Sequence, residues 1–273
     1  MAMISNQEQH GPARKPVAVV TGASSGIGRA TAIRLAAAGY DVAIVGYRNL
    51  AGLQSTAAGV LDQGVGCRCV CWDMGGDRPS CELVGLLFGW RGRVDAWIHL
   101  AGADVLTGGA ADWSFERKLE WLYRVDLRGC MLLARRVAER MYQQPDGDRL
   151  PCILTTGWDQ AESGMEGDSG QYFSAIKAAV AAFSKSLAKS YAPRVRVNCL
   201  CPGWIQTAWG QTAASPAWQR RAQQESSLGR WGRPEDVAET ALWLVSPAAE
   251  FINGQSIAIN GGWRPPAVAG TTS

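Results

Sequence analysis

The chain has 273 residues, enough for one large domain or two small ones. Hydrophobic residues at 47% and charged residues at 19% describe a globular protein with a sizeable core, while a net charge of +3 without a basic run argues against nucleic acid as a partner. No apolar run reaches the ~18 residues that a membrane span requires, and residues 1–14, which lack the apolar centre of a signal peptide, read as a flexible tail.

From residue 16 onward, strand-like runs alternate with helical ones. "PVAVVTG" is a β-rich run, and "GIGRATAIRLAAAG" carries helical periodicity up to Gly39, a natural helix stop. "DVAIVGYR" is a second strand, followed by a helix near 50–62, the strand "VGCRCVCWD", a helix near 80–89 and the strand "RVDAWIHLAG". A long helix is predicted over 114–142, then the strand "PCILTTG", a helix over about 170–191 and the strand "RVRVNCLCPG". A helix near 234–245 and the strand "QSIAIN" close the pattern. Such alternation implies parallel strands, right-handed crossovers and helices on both faces. The fold class is therefore α/β: a Rossmann-type, doubly wound parallel sheet of seven strands in a single domain over 15–263, with 264–273 as a C-terminal tail.

The eight cysteines include two alternating sets, Cys67, Cys69 and Cys71 in "CRCVCWD", and Cys199 and Cys201 in "NCLCPG". Residues two apart on a strand share a face, which suits small buried hydrophobes. A metal site would call for CxxC pairs or clustered histidines, and His10 and His99 are the only two histidines, so no metal is expected. Free thiols fit a reducing, cytoplasmic location.

Gly22, Gly26 and Gly28 fall between the first strand and the first helix, where glycine lets backbone N–H groups approach a pyrophosphate at a helix N-terminus. That context marks a dinucleotide site. The second strand ends in "GYRN", without the acid that would bind a ribose 2′-hydroxyl and repel a 2′-phosphate. Arg48 is either the planar fork for that phosphate or a solvated surface arginine; the first reading favours NADP(H) over NAD(H). Asp73 either accepts from the adenine amino group or is a turn residue.

With "TGASSGIG" (21–28), "HLAG" (99–102), a lysine on the helix near 170–190, "RVNCLCPGWIQT" (196–207) and "NGQSIAINGGW" (253–263), the chain resembles the short-chain dehydrogenase/reductase family over about residues 15–263. The resemblance implies strand order 3-2-1-4-5-6-7, a homotetramer or homodimer, and oxidation or reduction of a small carbonyl or alcohol with NAD(P). It also implies a cofactor held by Gly22, Ser24, Ser25, Gly26, Ile27 and Gly28, by Arg48, Asp73 and Met74, by Ala101 and Gly102, by Lys177, and by Pro202, Gly203, Ile205 and Thr207.

The catalytic positions depart from that family. Its YxxxK matches "FSAIK", which puts Phe173 at the tyrosine and Lys177 at the lysine; Gly157 falls at or beside the serine, and Asp126 replaces the asparagine. His99 and Leu100 replace two asparagines. On a helix, positions four apart sit about 40° from each other and positions five apart about 140°, so Phe173, not Tyr172, shares a face with Lys177. Three substitutes are open. Tyr172 would swing in if the helix began late or bulged. Carboxylates, Asp126 and Asp159 with Glu162, would bring negative charge to the reaction centre, unless Asp126 merely pairs with Lys177. Thr156 or Thr155 would replace the serine hydroxyl. A site with carboxylates and no phenol suits a C=N substrate, because an iminium carbon accepts hydride without a proton donor.

The segment of about 204–230 is predicted to be a substrate lid. Trp204, Trp209 and Trp218, with Trp231 nearby, form either an aromatic pocket or lid–core packing or a subunit contact, and Trp158 lies nearest the reaction centre. Two rival functions stand beside the oxidoreductase: a catalytically inactive NADP(H) sensor or partner subunit, and a redox-independent lyase or dehydratase.

Overall fold

A computed structural model describes residues 14–207, 210 and 214–264. The tails predicted over 1–14 and 264–273 lie almost wholly outside the described residues, as does Trp209. The chain runs β1 (Val17–Thr21), α1 (Gly26–Ala37), β2 (Asp41–Gly46), α2 (Leu50–Leu61), β3 (Cys67–Cys71), α3 (Ser80–Arg91) and β4 (Ala96–His99). It continues through α4 (Phe115–Leu122), a π-helical stretch (Tyr123–Gly129), α5 (Cys130–Gln143), β5 (Cys152–Thr156), α6 (Gly167–Tyr191) and β6 (Arg196–Pro202). Last come α7 (Pro216–Glu225), α8 (Pro234–Val245) and β7 (Ser256–Ile259).

The seven strands form one parallel sheet in the order β3-β2-β1-β4-β5-β6-β7, as expected. Alternate residues of β1 feed opposite layers. Ala18 and Val20 pack with Leu35 of α1 and Val237 and Leu244 of α8, whereas Val17 and Val19 pack with Leu83 of α3, Leu133 of α5 and Leu187 of α6. Period-two burial on both faces is what a central parallel strand requires. The order reverses beside β1, between β2 and β4, and the C-terminal ends of the strands there open the crevice where such sheets take ligands.

Two expectations need correction. The helix predicted over 114–142 is not uniform, for its middle, Tyr123–Gly129, is π-helical. This wider turn carries Asp126 into the interior, and π turns recur at functional sites. The cysteines of β3 are not buried: Cys67 is half-buried, and Cys69 and Cys71 are exposed. β3 is the sheet's edge, with one strand neighbour, whereas Cys199 and Cys201 sit on interior β6 and are buried. Among the described residues, no helix is long and apolar enough to cross a membrane, and no group of three or more His, Cys, Asp or Glu could hold a metal ion.

Candidate active site

The loop from β1 to α1 is shaped by steric necessity. Gly22 has φ +70°, and a Cβ there would lie 2.6 Å from the Leu100 carbonyl oxygen; a Cβ at Gly28 would lie 2.2 Å from the Gly22 oxygen. Ser25 precedes α1 without a side-chain capping hydrogen bond, and the first turn holds no acid, so its N–H groups are left to an external anion. The Thr207 methyl faces Gly26 from the far side of the crevice, 3.3 Å from where a Cβ would be. Ser24 supplies its carbonyl to Arg29 Nη2 at 2.9 Å.

Arg48, just past β2, is exposed and forms no ion pair among the described residues. Its guanidinium lies 5.2 Å from the Trp121 ring and 5.7 Å from the Tyr47 ring. Aromatic faces orient a guanidinium without neutralising it, as a carboxylate would. Asp73 accepts from the Gly75 N–H at 2.9 Å, a turn contact that leaves its second oxygen outside this bond. The Met74 carbonyl backs onto Gly129, where a Cβ would lie 2.5 Å away.

At the reaction end, Lys177 donates to Asp126 Oδ1 at 2.9 Å and to the Thr156 carbonyl at 3.4 Å. An ammonium has three donors, so one remains for a ligand. Asp126 is 3% exposed, and its other oxygen accepts from the Ala103 N–H at 2.8 Å. Gly102 makes room for it, since a Cβ there would lie 3.0 Å from Asp126 Oδ1. Burial works against the Lys177 charge, but the Asp126 carboxylate and its hydrogen bond outweigh this and hold the ammonium above the usual lysine value.

Beside the ion pair, the Thr156 hydroxyl donates to the His99 carbonyl at 2.7 Å, while Thr155, on the opposite face, shares a 2.6 Å hydrogen bond with Ser184. Thr21 Oγ1 accepts from the N–H groups of Leu100 (3.2 Å) and Ala101 (3.1 Å), so its own proton goes to His99 Nδ1 at 3.1 Å. His99 is thereby fixed as the Nε2–H tautomer. Burial, helped by Lys177, pushes its pKa down to about 3, so it stays neutral.

Tyr172 takes no part in this group. α6 begins at Gly167, ahead of the expected start, and is regular α-helix throughout, so neither a late start nor a bulge turns the phenol toward Lys177. The ring is 1% exposed, packed with Val105, Leu122 and Ile176, and its hydroxyl shares a 3.0 Å hydrogen bond with Ser169. Phe173 stands one turn before Lys177 and meets Trp158 edge-on at 6.3 Å. A Cβ at Gly157 would lie 3.0 Å from both the Cys199 and Cys201 sulfurs, so a serine there would crowd two buried thiols.

The family model described as Enoyl-(Acyl carrier protein) reductase matches residues 22–264. The chain belongs to the short-chain dehydrogenase/reductase family. It is 33% identical over 266 residues to a cyclohexanol dehydrogenase of Rhodococcus sp. (strain TK6), covering 92% of this chain and 97% of that one. A short-chain dehydrogenase/reductase from Serratia marcescens superposes with a TM-score of 0.80 at 26% identity, covering 92% of this chain and 99% of that chain. A short chain dehydrogenase from Burkholderia cenocepacia, solved in complex with NADP, gives 0.78 at 26% identity, covering 90% and 97%.

The other carboxylate expected at the reaction centre is Asp159. It is half-buried after β5; Oδ2 accepts from Asn260 Nδ2 at 3.0 Å, and Oδ1 is buried without a hydrogen-bond partner. Burial is the main reason its pKa is pushed up to about 6, against the pull of the Asn260 bond. Glu162 is exposed. Pro202 ends β6 beside Asp159, Gly203 follows it, and Ile205 is buried and bridges to Gly232. In the segment predicted to be a lid, Trp204 meets Trp218 at 5.4 Å and Trp231 at 6.1 Å, and its Nε1 donates to Glu225 at 2.7 Å. Arg221 of α7 bridges Glu225 to Glu166, tying α7 to the start of α6.

Sequence reasoning assigned no part to Thr21, Trp121, Glu225 or Asn260. Thr21 and Asn260 lie inside motifs already quoted and carried a usable signal; Trp121 reaches Arg48 from a different crossover, which no local pattern announces.

Proposed function

We propose that the protein transfers hydride between NADP(H) and a small substrate, a carbonyl or alcohol or, better suited to this site, a C=N compound, with acid–base groups other than a tyrosine. The observation that carries this reading is the pairing of a benzene ring, Phe173, one turn before Lys177 with a half-buried carboxylate, Asp159, that keeps one oxygen without a partner. The uncapped turn at Ser25 and the close-packed Gly22–Gly28 loop fit a pyrophosphate, and the ring-held Arg48 supports a preference for the 2′-phosphate. Bound NADP(H) supplies or takes up the hydride. Lys177 would hold the nicotinamide ribose through its remaining N–H, and Thr156 and Asp126 would hold Lys177.

A phenylalanine has no proton to give, and loss of an essential acid costs a rate factor of about 10² to 10⁴. A cationic C=N carbon needs no proton when hydride arrives, and a carboxylate in a poorly solvated cleft stabilises the cation. Asp159 and the Trp158 ring would serve such a cation. We take 15–263 as the catalytic domain with its lid over about 204–230, acting in the reducing cytoplasm as a homodimer or homotetramer. Eight free thiols support the location, and exposed Phe251 and Trp243 support assembly.

The test is a substrate panel of cyclic imines, ketones and enones with NADPH or NADH, read by loss of reduced-cofactor absorbance. Imine reduction that Asp159→Asn abolishes is expected; ready ketone turnover with imines untouched refutes the reading. The sensor reading draws on the Lys177–Asp126 pair, which neutralises the surviving ammonium; it predicts NADPH binding without turnover of any substrate class.

A further inference from the structure

Three elements close on Asp159. Its backbone N–H reaches the Pro202 carbonyl of β6 at 3.3 Å, and Asn260, directly after β7, donates to Oδ2 at 3.0 Å. The Asn260 amide is held in that orientation, because its own Oδ1 accepts from the Gly262 N–H at 3.0 Å. Space for the pair comes from Gly203. A Cβ there would lie 2.6 Å from Asn260 Cβ and 2.8 Å from Asp159 Oδ2, so any other residue would drive the two apart. The carboxylate is thus gripped on one oxygen while the other, Oδ1, is buried with no partner.

We infer that Asn260 is a positioning residue for Asp159, pinning one carboxylate oxygen from the end of β7 and so fixing the orientation and favouring the ionised form of the group in the reaction site. This rests on the reading of Asp159 as the carboxylate of the reaction site. The chemistry at position 260 is specific. An aspartate would have the same size and still accept from Gly262, but two carboxylates at hydrogen-bond distance oppose each other's ionisation, whereas an amide N–H favours it. The backbone N–H groups of Gln160 and of Asp159 itself pull the same way, but among the described residues no other side chain facing Asp159 supplies that help. From α7, Glu225 pushes the Asp159 pKa up, and from β6 the Cys201 thiol, itself raised chiefly by its hydrogen bond to Cys199, remains neutral. Against burial and Glu225, the Asn260 N–H is the side-chain contact that pulls toward the charged form.

Carbon-13 label at the aspartate carboxyl, with Asp159→Asn to assign the resonance, reads this protonation directly in the full-length protein with and without NADPH. The wild-type midpoint is expected at about 6. Asn260→Ala should raise it by about one unit and Asn260→Asp by more. Midpoints that stay put in both variants overturn the inference. If Asn260→Ala does not fold, Asn260→Asp, equal in size, carries the test alone. The pH profile of imine reduction then separates the two ideas: its acid limb should move with the resonance. A resonance that moves while the limb stays would show the hold of Asn260 on Asp159 and sink the catalytic reading of Asp159.

Discussion

The ends of β1 and β2 and the ends of β5 and β6 belong to one crevice, yet they are built on different principles. At the proposed nucleotide end the groups left for a ligand are backbone N–H donors, and the requirement on sequence is the absence of side chains at Gly22 and Gly28, where a Cβ would strike backbone oxygen. At the proposed reaction end the candidate groups are side chains. There Phe173, Asp126 and Gly157 stand where a tyrosine, an asparagine and a serine would be expected, while β5, β6 and α6 keep their places. Backbone recognition tolerates few substitutions and announces them sterically. Side-chain chemistry changes without disturbing the fold, because Asp126 finds Lys177 and Ala103, and Asp159 finds Asn260.

This contrast can be broken by experiment. The largest effect is expected for Asp159→Asn, a loss of about 10² to 10⁴ in imine turnover, with NADPH affinity by fluorescence nearly unchanged. The pH dependence has a definite sign. Stabilisation of a cation needs the ionised carboxylate, so imine reduction should fall as pH drops through about 6, whereas a ketone using Asp159 as its acid would lose rate as pH rises through the same value. Stability should follow linkage: the contribution of protonated Asp159 is fully present below the unfolded value of about 4 and lost as pH rises through about 6, so Asp159→Asn should raise the Tm at pH 7.5. Next comes Gly28→Ala, whose methyl meets the Gly22 carbonyl; NADPH affinity should fall about 100-fold, with a stability loss of about 1–3 kcal/mol in denaturant titrations.

Smaller effects sharpen the contrast at single side chains. Arg48→Ala should weaken NADPH binding by about 10- to 100-fold and leave NADH binding unchanged, since a hydrogen-bonded charge contact contributes about 1.5–3 kcal/mol. Trp121→Ala should reproduce a part of that loss, about 2- to 5-fold, by releasing the guanidinium from its ring. Tyr172→Phe should leave kcat within about 2-fold and cost about 1 kcal/mol, the hydrogen bond to Ser169. A large kcat loss in that variant would return the phenol to the chemistry.

Much of the fold was legible residue by residue. Alternation in "VAVVT" and "DVAIVG" announced strands buried on both faces, and the 3.6-residue period over 170–191 announced α6 to within a turn of its start. The misreadings share a cause. Strand periodicity places Cys67, Cys69 and Cys71 on one face but does not say that β3 is an edge, and helical periodicity over 114–142 does not reveal that the turn around Asp126 opens into a π-helix. In the site, the four-residue spacing identified Phe173 as the partner of Lys177, but the destination of the Tyr172 hydroxyl became visible only with Ser169 beside it.

The sequence alone determined the alternation of strands and helices, the phosphate loop and the missing phenol, because each is written in local spacing: glycine against Cβ, period two against period 3.6, four residues against five; the strand order came only with the family resemblance. Tertiary structure decided the electrostatics. Lys177 meets Asp126 across 51 residues of chain, Thr21 meets His99 across 78, and Asn260 meets Asp159 across 101. Such pairs form only when the sheet closes and brings strand ends side by side, and burial then sets what each carboxylate and imidazole is worth.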